Sequence, residues 1–225
     1  MTKLLGGIAV VALALSYGAS SAAAQDFHGN PNYANTNGPG VVLKGFYGRG
    51  VNDEAFKSNF FGGSIGVNLP VIGFWAGAGS VKPENFDGSV VFGGGVSVKV
   101  PMPPMSPVMV GLESGASFLD EDGDKTLIVP IGAVLGINVP SPAVDVVPWV
   151  KPRVEIQRFS NGTSTTEVGF GASGGVSITL PTGLGFHAAV DWLTIDYGAG
   201  AFKPIYVGAG VHYNISVPSL GVPGM

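Results

Sequence analysis

From residue 41 onward, apolar residues recur at every second position in runs broken by Gly, Pro, Asn and Asp. That spacing is the signature of β-strands with one apolar face, because successive side chains on a strand point to opposite sides. One phrase repeats: "GGSIGVNLP" ends at Pro70, "GGGVSVKVP" at Pro101, "GAVLGINVP" at Pro140, "GGVSITLP" at Pro181 and "GVHYNISVP" at Pro218. A self-similar unit at this period implies repeated hairpins rather than one irregular domain. Ten strands are predicted: 41–51, 60–69, 71–81, 88–100, 107–118, 125–139, 145–158, 166–180, 183–194 and 204–217. No amphipathic helix is predicted beyond the N-terminus.

The repeated phrases are the even-numbered strands. In the eighth, Val168, Phe170, Ala172, Val176, Ile178 and Leu180 share one face, while Gly169, Gly171, Ser173, Gly175, Ser177 and Thr179 share the other. In the tenth, Ile205, Val207, Ala209, Val211, Tyr213 and Ile215 oppose Tyr206, Gly208, Gly210, His212 and Asn214. Connections after the even strands carry proline and a single charge, Asp145, whereas "NDEAFKSN", "KPENFD", "DEDGDK", "FSNGTSTT" and "DYGAGAFKP" join the others. An even number of antiparallel strands, tight turns at one end and longer polar loops at the other describe a transmembrane β-barrel. Pro130, Pro148 and Pro152 fall inside predicted strands, where each removes a ladder bond. They call for bulges or earlier strand ends, or for a merger of two runs that leaves eight strands.

Composition fits this picture. The mean hydropathy is +0.38, yet past the N-terminus no apolar run approaches the ~20 residues of a membrane helix. Residues 1–24 read as a secretory signal: Lys3, an apolar stretch from Leu4 to Leu15 and the A-x-A site Ala22–Ala24, so the mature chain is expected to begin at Gln25. Residues 25–40 read as a polar linker, 41–217 as the barrel and 218–225 as a tail. With no cysteine, neither disulfides nor acylation through a thiol stabilise or anchor the chain.

Charge sorts by face. Lys44, Lys99, Glu113, Lys151, Arg153, Glu155 and Asp191 share the parity of the glycine-rich face, together with Gln157, His187 and His212. No charge falls in the middle of the apolar face, as a lipid boundary requires, since an arginine or lysine facing mid-bilayer costs about 2–4 kcal/mol. Arg49 is the exception, placed at the outer interface. The inner set suits either a salt-bridge network filling the tube or a narrow pathway whose weak anion preference comes from Lys44, Lys99, Lys151 and Arg153. The predicted outer rim is acidic, and removing Lys3 takes the full-chain charge of −4 to −5. That balance excludes nucleic acid as a partner.

Over its whole mature length the chain resembles the small outer-membrane β-barrel proteins of Gram-negative bacteria, of the broad OmpA-like or porin-like kind. In those proteins the last strand carries a signal for the barrel-assembly machinery, and Gly208, Val211 and Tyr213 fit its pattern. The resemblance implies a bacterial outer-membrane location, surrounded by lipid and lipopolysaccharide, and a structural or porin-like role. Two other readings stay open. One is a surface-binding barrel acting through its acidic loops, and the other a soluble periplasmic barrel whose apolar face points inward to a ligand.

Candidate chemistry is sparse. His187 and His212 are predicted almost opposite each other on the last hairpin with Asp191 on the same face, but no serine completes a catalytic set. "DEDGDK" at 120–125 is too short for an EF-hand loop and reads as a turn. The chain is therefore expected not to be an enzyme and to hold no metal or cofactor.

Overall fold

The computed structural model describes residues 27, 29–103, 105–121, 124–139, 141–161, 163–198 and 200–216. The predicted signal peptide and C-terminal tail lie outside these residues. Eleven strands form in chain order: β1 Gly40–Gly50, β2 Asn59–Asn68, β3 Ile72–Lys82, β4 Ser89–Lys99, β5 Val108–Glu121, β6 Asp124–Ile137, β7 Asp145–Asn161, β8 Thr163–Thr179, β9 Leu184–Asp196, β10 Ala201–Phe202 and β11 Ile205–Ile215. Each wall strand pairs antiparallel with its sequence neighbour, and β1 pairs on its far side with β11, Leu43 lying opposite Tyr213. The result is a closed barrel of ten wall strands. The eleventh, two-residue β10, extends the last hairpin by pairing with the end of β9.

Alternation decides which face is which. Leu112, Phe61, Val168 and Phe170 project outward with more than half of their surface exposed, whereas Ser173, Ser177, Lys151, Glu155 and Asp191 are buried within the tube. Bands of exposed Val, Leu, Ile and Phe around a closed wall match the lipid-facing belt of a membrane barrel. β2, β3 and β4 have 10 or 11 residues, the ~9–11 needed for a tilted strand to cross the hydrocarbon core.

The wall is uneven in height. β7 and β8 have 17 residues each, paired up to Asn161 and Thr163. The predicted loops "DEDGDK" and "FSNGTSTT" are thus largely strand, with Asp120 opposite Lys125 and Ser160 opposite Ser164. At the other end, more residues separate β4 from β5 and β6 from β7 than a tight turn needs. The asymmetry between the ends lies in charge and in protruding hairpins, not in loop length as predicted.

The strand prolines need no bulge. The register between β5 and β6 is the same on both sides of Pro130, with Ser114 opposite Ile131 and Ser117 opposite Ile128. Between β6 and β7 it is likewise unbroken across Pro152. The ladder skips the bond each proline cannot donate and resumes.

The segment predicted as a linker is not outside the barrel. Phe27, Asn30, Asn32, Tyr33 and Ala34 are 0–3% exposed and touch residues from around the wall. Phe27 stacks on Phe60 at 5.4 Å and meets Phe46 at 5.7 Å and Trp75 edge-on at 5.8 Å. Residues 29–39 run back down the lumen to β1. Glycine makes room for them: a Cβ on Gly48 would lie 2.5 Å from Asn30 Oδ1, and one on Gly208 would collide with the Tyr33 hydroxyl.

Candidate functional site

The inner face divides into two regions. Phe46 of β1, Phe60 of β2, Val81 of β3, Val91 of β4 and Leu119 of β5 gather with Phe27 into an aromatic and aliphatic core. These large apolar residues share the inner parity that sequence reading assigned to small and polar side chains. Polar and charged groups line the remaining interior, on β7, β9 and β11 and at the end where β1 begins. Lys151, Arg153, Glu155, Gln157, His187, Asp191 and His212 are buried, while Lys44, Lys99 and Glu113 are half-buried. The structure places all ten on the inner face.

Arg153 is the hub of the first cluster. Its guanidinium donates two parallel bonds to Asp191, 2.7 Å to Oδ1 and 2.9 Å to Oδ2, and its Nε donates to Glu155 at 2.9 Å. A bidentate arginine–carboxylate pair fixes geometry as well as charge. Ser173 donates its hydroxyl to Asp191 and receives a bond from Arg153 at 3.3 Å. Gln157 donates to Glu155 at 2.6 Å and accepts from the Tyr197 hydroxyl at 2.7 Å. Burial, with Glu155 and Glu167 adding to it, raises the phenol of Tyr197 above its ordinary range, so this bond keeps its proton at neutral pH.

The second cluster grips the N-terminal segment. Lys151 Nζ donates to Glu113 at 2.7 Å and to the carbonyl of Tyr33 at 3.0 Å. Glu113 Oε1 accepts from the backbone N–H of Asn35 at 2.6 Å, and Lys99 Nζ donates to the carbonyl of Asn37. The Asn35 amide donates to Asn68 at 2.7 Å and Ser97 at 2.9 Å. Asn32 N–H reaches Asp191 at 3.4 Å. Lys44 makes no hydrogen bond or ion pair among the described residues. Nearby cavities include one of about 10 Å³ beside Lys99 and Glu113 and one of about 20 Å³ beside Arg153 and Tyr197. Either has room for about one water molecule.

The histidines are diagonal rather than opposite. His187 pairs with Gly210 and His212 with Gly185, because the hairpin folds one residue earlier than its symmetric loop suggests. Their Nδ1 atoms still meet at 3.3 Å, and His212 Nε2 contacts the Thr179 hydroxyl at 3.0 Å. One ring donates and the other accepts. Asp191 is taken by Arg153 and Ser173, so no His–Asp pair forms. Gly208, Val211 and Tyr213 lie on β11, with Val211 and Tyr213 exposed on the outer face and Gly208 against Tyr33.

Sequence reasoning missed Tyr33, Asn35, Asn37, Ser173 and Tyr197. A usable signal existed for the first three. "NPNYANTN" is uncharged and holds a tyrosine, an odd composition for a solvated linker beside a lumen with four bases and three acids.

No protein-family model matches the chain, and no curated protein sequence does. Solved structures do match. The β domain of the Bordetella autotransporter BrkA is similar with a TM-score of 0.50 at 11% identity, over 80% of this chain and 100% of that one. The outer-membrane protease OmpT of Escherichia coli has a TM-score of 0.41 at 11% identity, over 79% of this chain and 94% of its own. The N-terminal β-barrel domain of Pseudomonas aeruginosa OprF has a TM-score of 0.36 at 14% identity, over 79% of this chain and 100% of its own. The chain thus has the fold of the outer-membrane β-barrels. The expectation that it is not an enzyme is corrected by the same comparison: a protease stands among these neighbours, and the architecture does not exclude catalysis.

Proposed function

We propose that the protein is an outer-membrane β-barrel whose lumen is closed by its own N-terminal segment, a lipid-anchored wall element rather than an open pore. The burial of residues 29–34 among inner-face side chains carries this reading. Three of the four interior cations are engaged: Lys99 and Lys151 hold the segment, and Arg153 is bound to Asp191 and Glu155. Among the described residues that leaves Lys44 to set any anion preference, and the cavities beside Lys99 and Arg153, about 10 and 20 Å³, are each too small to hold a hydrated ion. The exposed apolar belt supports membrane placement over a soluble barrel. The charged end with its tall hairpins is assigned to the cell exterior, and the end where β1 begins and β11 finishes to the periplasm. Gly208, Val211 and Tyr213 are assigned to recognition by the assembly machinery, which the outward aim of Val211 and Tyr213 supports.

Planar-bilayer recording of the full-length protein tests the reading. Inserted barrels, verified by heat-modifiable migration on a gel, are expected to give no unitary conductance. Regular conductance steps from the unaltered protein refute closure.

A further inference from the structure

The outer surface of β1–β3 carries a feature that the lumen does not explain. Arg49, Asn59 and Lys82 lie side by side in one row across the three strands, and Tyr47, Phe61 and Ser80 in the row beneath. All six share the lipid-facing parity. They sit at the charged end, where β1 runs out and β2 begins. Elsewhere on the same rim a base can find an acid, as Lys125 lies opposite Asp120. Arg49 and Lys82 have no carboxylate within ion-pair distance among the described residues.

The patch is built rather than flat. Tyr47 donates its hydroxyl to Asn59 at 2.7 Å, and its ring lies 4.8 Å from that of Phe61. Tyr47, Asn59, Phe61, Ser80 and Lys82 line a depression of about 600 Å³. Beneath it Gly63 pairs with Ala78, so the wall presents almost no side chain there. β1 and β3 are about 10 Å apart at the usual strand spacing, close enough for Arg49 and Lys82 to reach one bulky anion together.

We propose that this patch binds the phosphorylated headgroup of an outer-leaflet glycolipid, with Arg49 and Lys82 on phosphate and an acyl chain lying over Phe61, Gly63 and Ala78. The occupant follows from position and charge. Two unanswered cations face a bilayer at headgroup depth, directly above an aromatic and apolar floor continuous with the membrane belt. A water-soluble anion would gain nothing from that floor. The site rests on the membrane placement proposed above.

The test uses the full-length protein inserted into phosphatidylcholine vesicles that hold a minor fraction of diphosphorylated lipid A, extracted into mild detergent and examined by native mass spectrometry. The protein is expected to retain lipid A but neither its dephosphorylated form nor phosphatidylcholine. R49Q/K82Q should retain it about thirtyfold less, from the loss of two basic groups at a membrane surface, while R49K/K82R keeps it. R158Q/K203Q removes the same charge elsewhere on the rim and should retain it fully. Equal retention by R49Q/K82Q, equal loss in R158Q/K203Q, or equal retention of dephosphorylated lipid overturns the site while leaving the barrel in the membrane. Failure of the unaltered protein to insert overturns the membrane placement and the site with it.

Discussion

The Lys151–Glu113 pair offers the sharpest test of how the lumen is filled. The two groups meet at 2.7 Å with side chains only 3% and 10% exposed. At that distance and an effective dielectric of about 20, the attraction is about 6 kcal/mol, opposed by a desolvation cost of several kcal/mol for each ion. The net value of the intact pair is therefore small, but removing one partner strands the other. Lys151→Met leaves Glu113 with the Asn35 N–H and the more distant charges of Lys44 and Lys99, and Glu113→Gln leaves the Lys151 ammonium with a neutral amide and the Tyr33 carbonyl. Each single change is expected to lower stability by about 3–5 kcal/mol, whereas the double variant should lose much less than the two together. Urea unfolding in phospholipid vesicles, followed by tryptophan fluorescence, measures all four corners of the cycle. Because both side chains hold the N-terminal segment, chymotrypsin should cut after Tyr33 in either single variant and leave the unaltered protein intact there. Additivity within about 0.5 kcal/mol, or cutting after Tyr33 in the unaltered barrel, refutes the reasoning.

Two more outcomes follow from the same geometry. Trp192 is 41% exposed on the outer face while Trp149 is 3% exposed inside, so brominated lipid should quench a variant keeping Trp192 alone strongly and one keeping Trp149 alone weakly; the reverse order would turn the barrel inside out. Val190 is 53% exposed in the middle of β9, and Val190→Arg should cost about 2–4 kcal/mol in vesicle unfolding, with an unchanged midpoint placing that face outside the bilayer.

Strand number and the choice of face were legible because a lipid boundary acts on every second residue. Leu43, Phe170 and Val190 had to face one way, and Ser173 and Asp191 the other. The tall hairpins were not legible. Above the membrane both faces of a strand meet water, so Asp120 and Lys125 can pair across a ladder whose charges imitate a loop. The filling of the lumen was hidden for a different reason. The wall grips the backbone of the N-terminal segment at Tyr33, Asn35 and Asn37, and a carbonyl or N–H leaves no mark in the sequence. The histidine register was not legible because nothing in the last loop marks where it turns: β10 pairs Ala201 with Asp196, and the same register carried into β11 sets His187 opposite Gly210 instead of His212.

The threaded segment also constrains how the barrel is made. Residues 29–39 lead straight into β1, the strand that joins β11 to complete the circle. A finished wall of continuous hydrogen bonds in lipid offers no side entrance, since opening it would expose unpaired backbone groups. The strand that zips the seam therefore also carries the filling, so the cylinder's closure and its contents are written into one continuous stretch of chain.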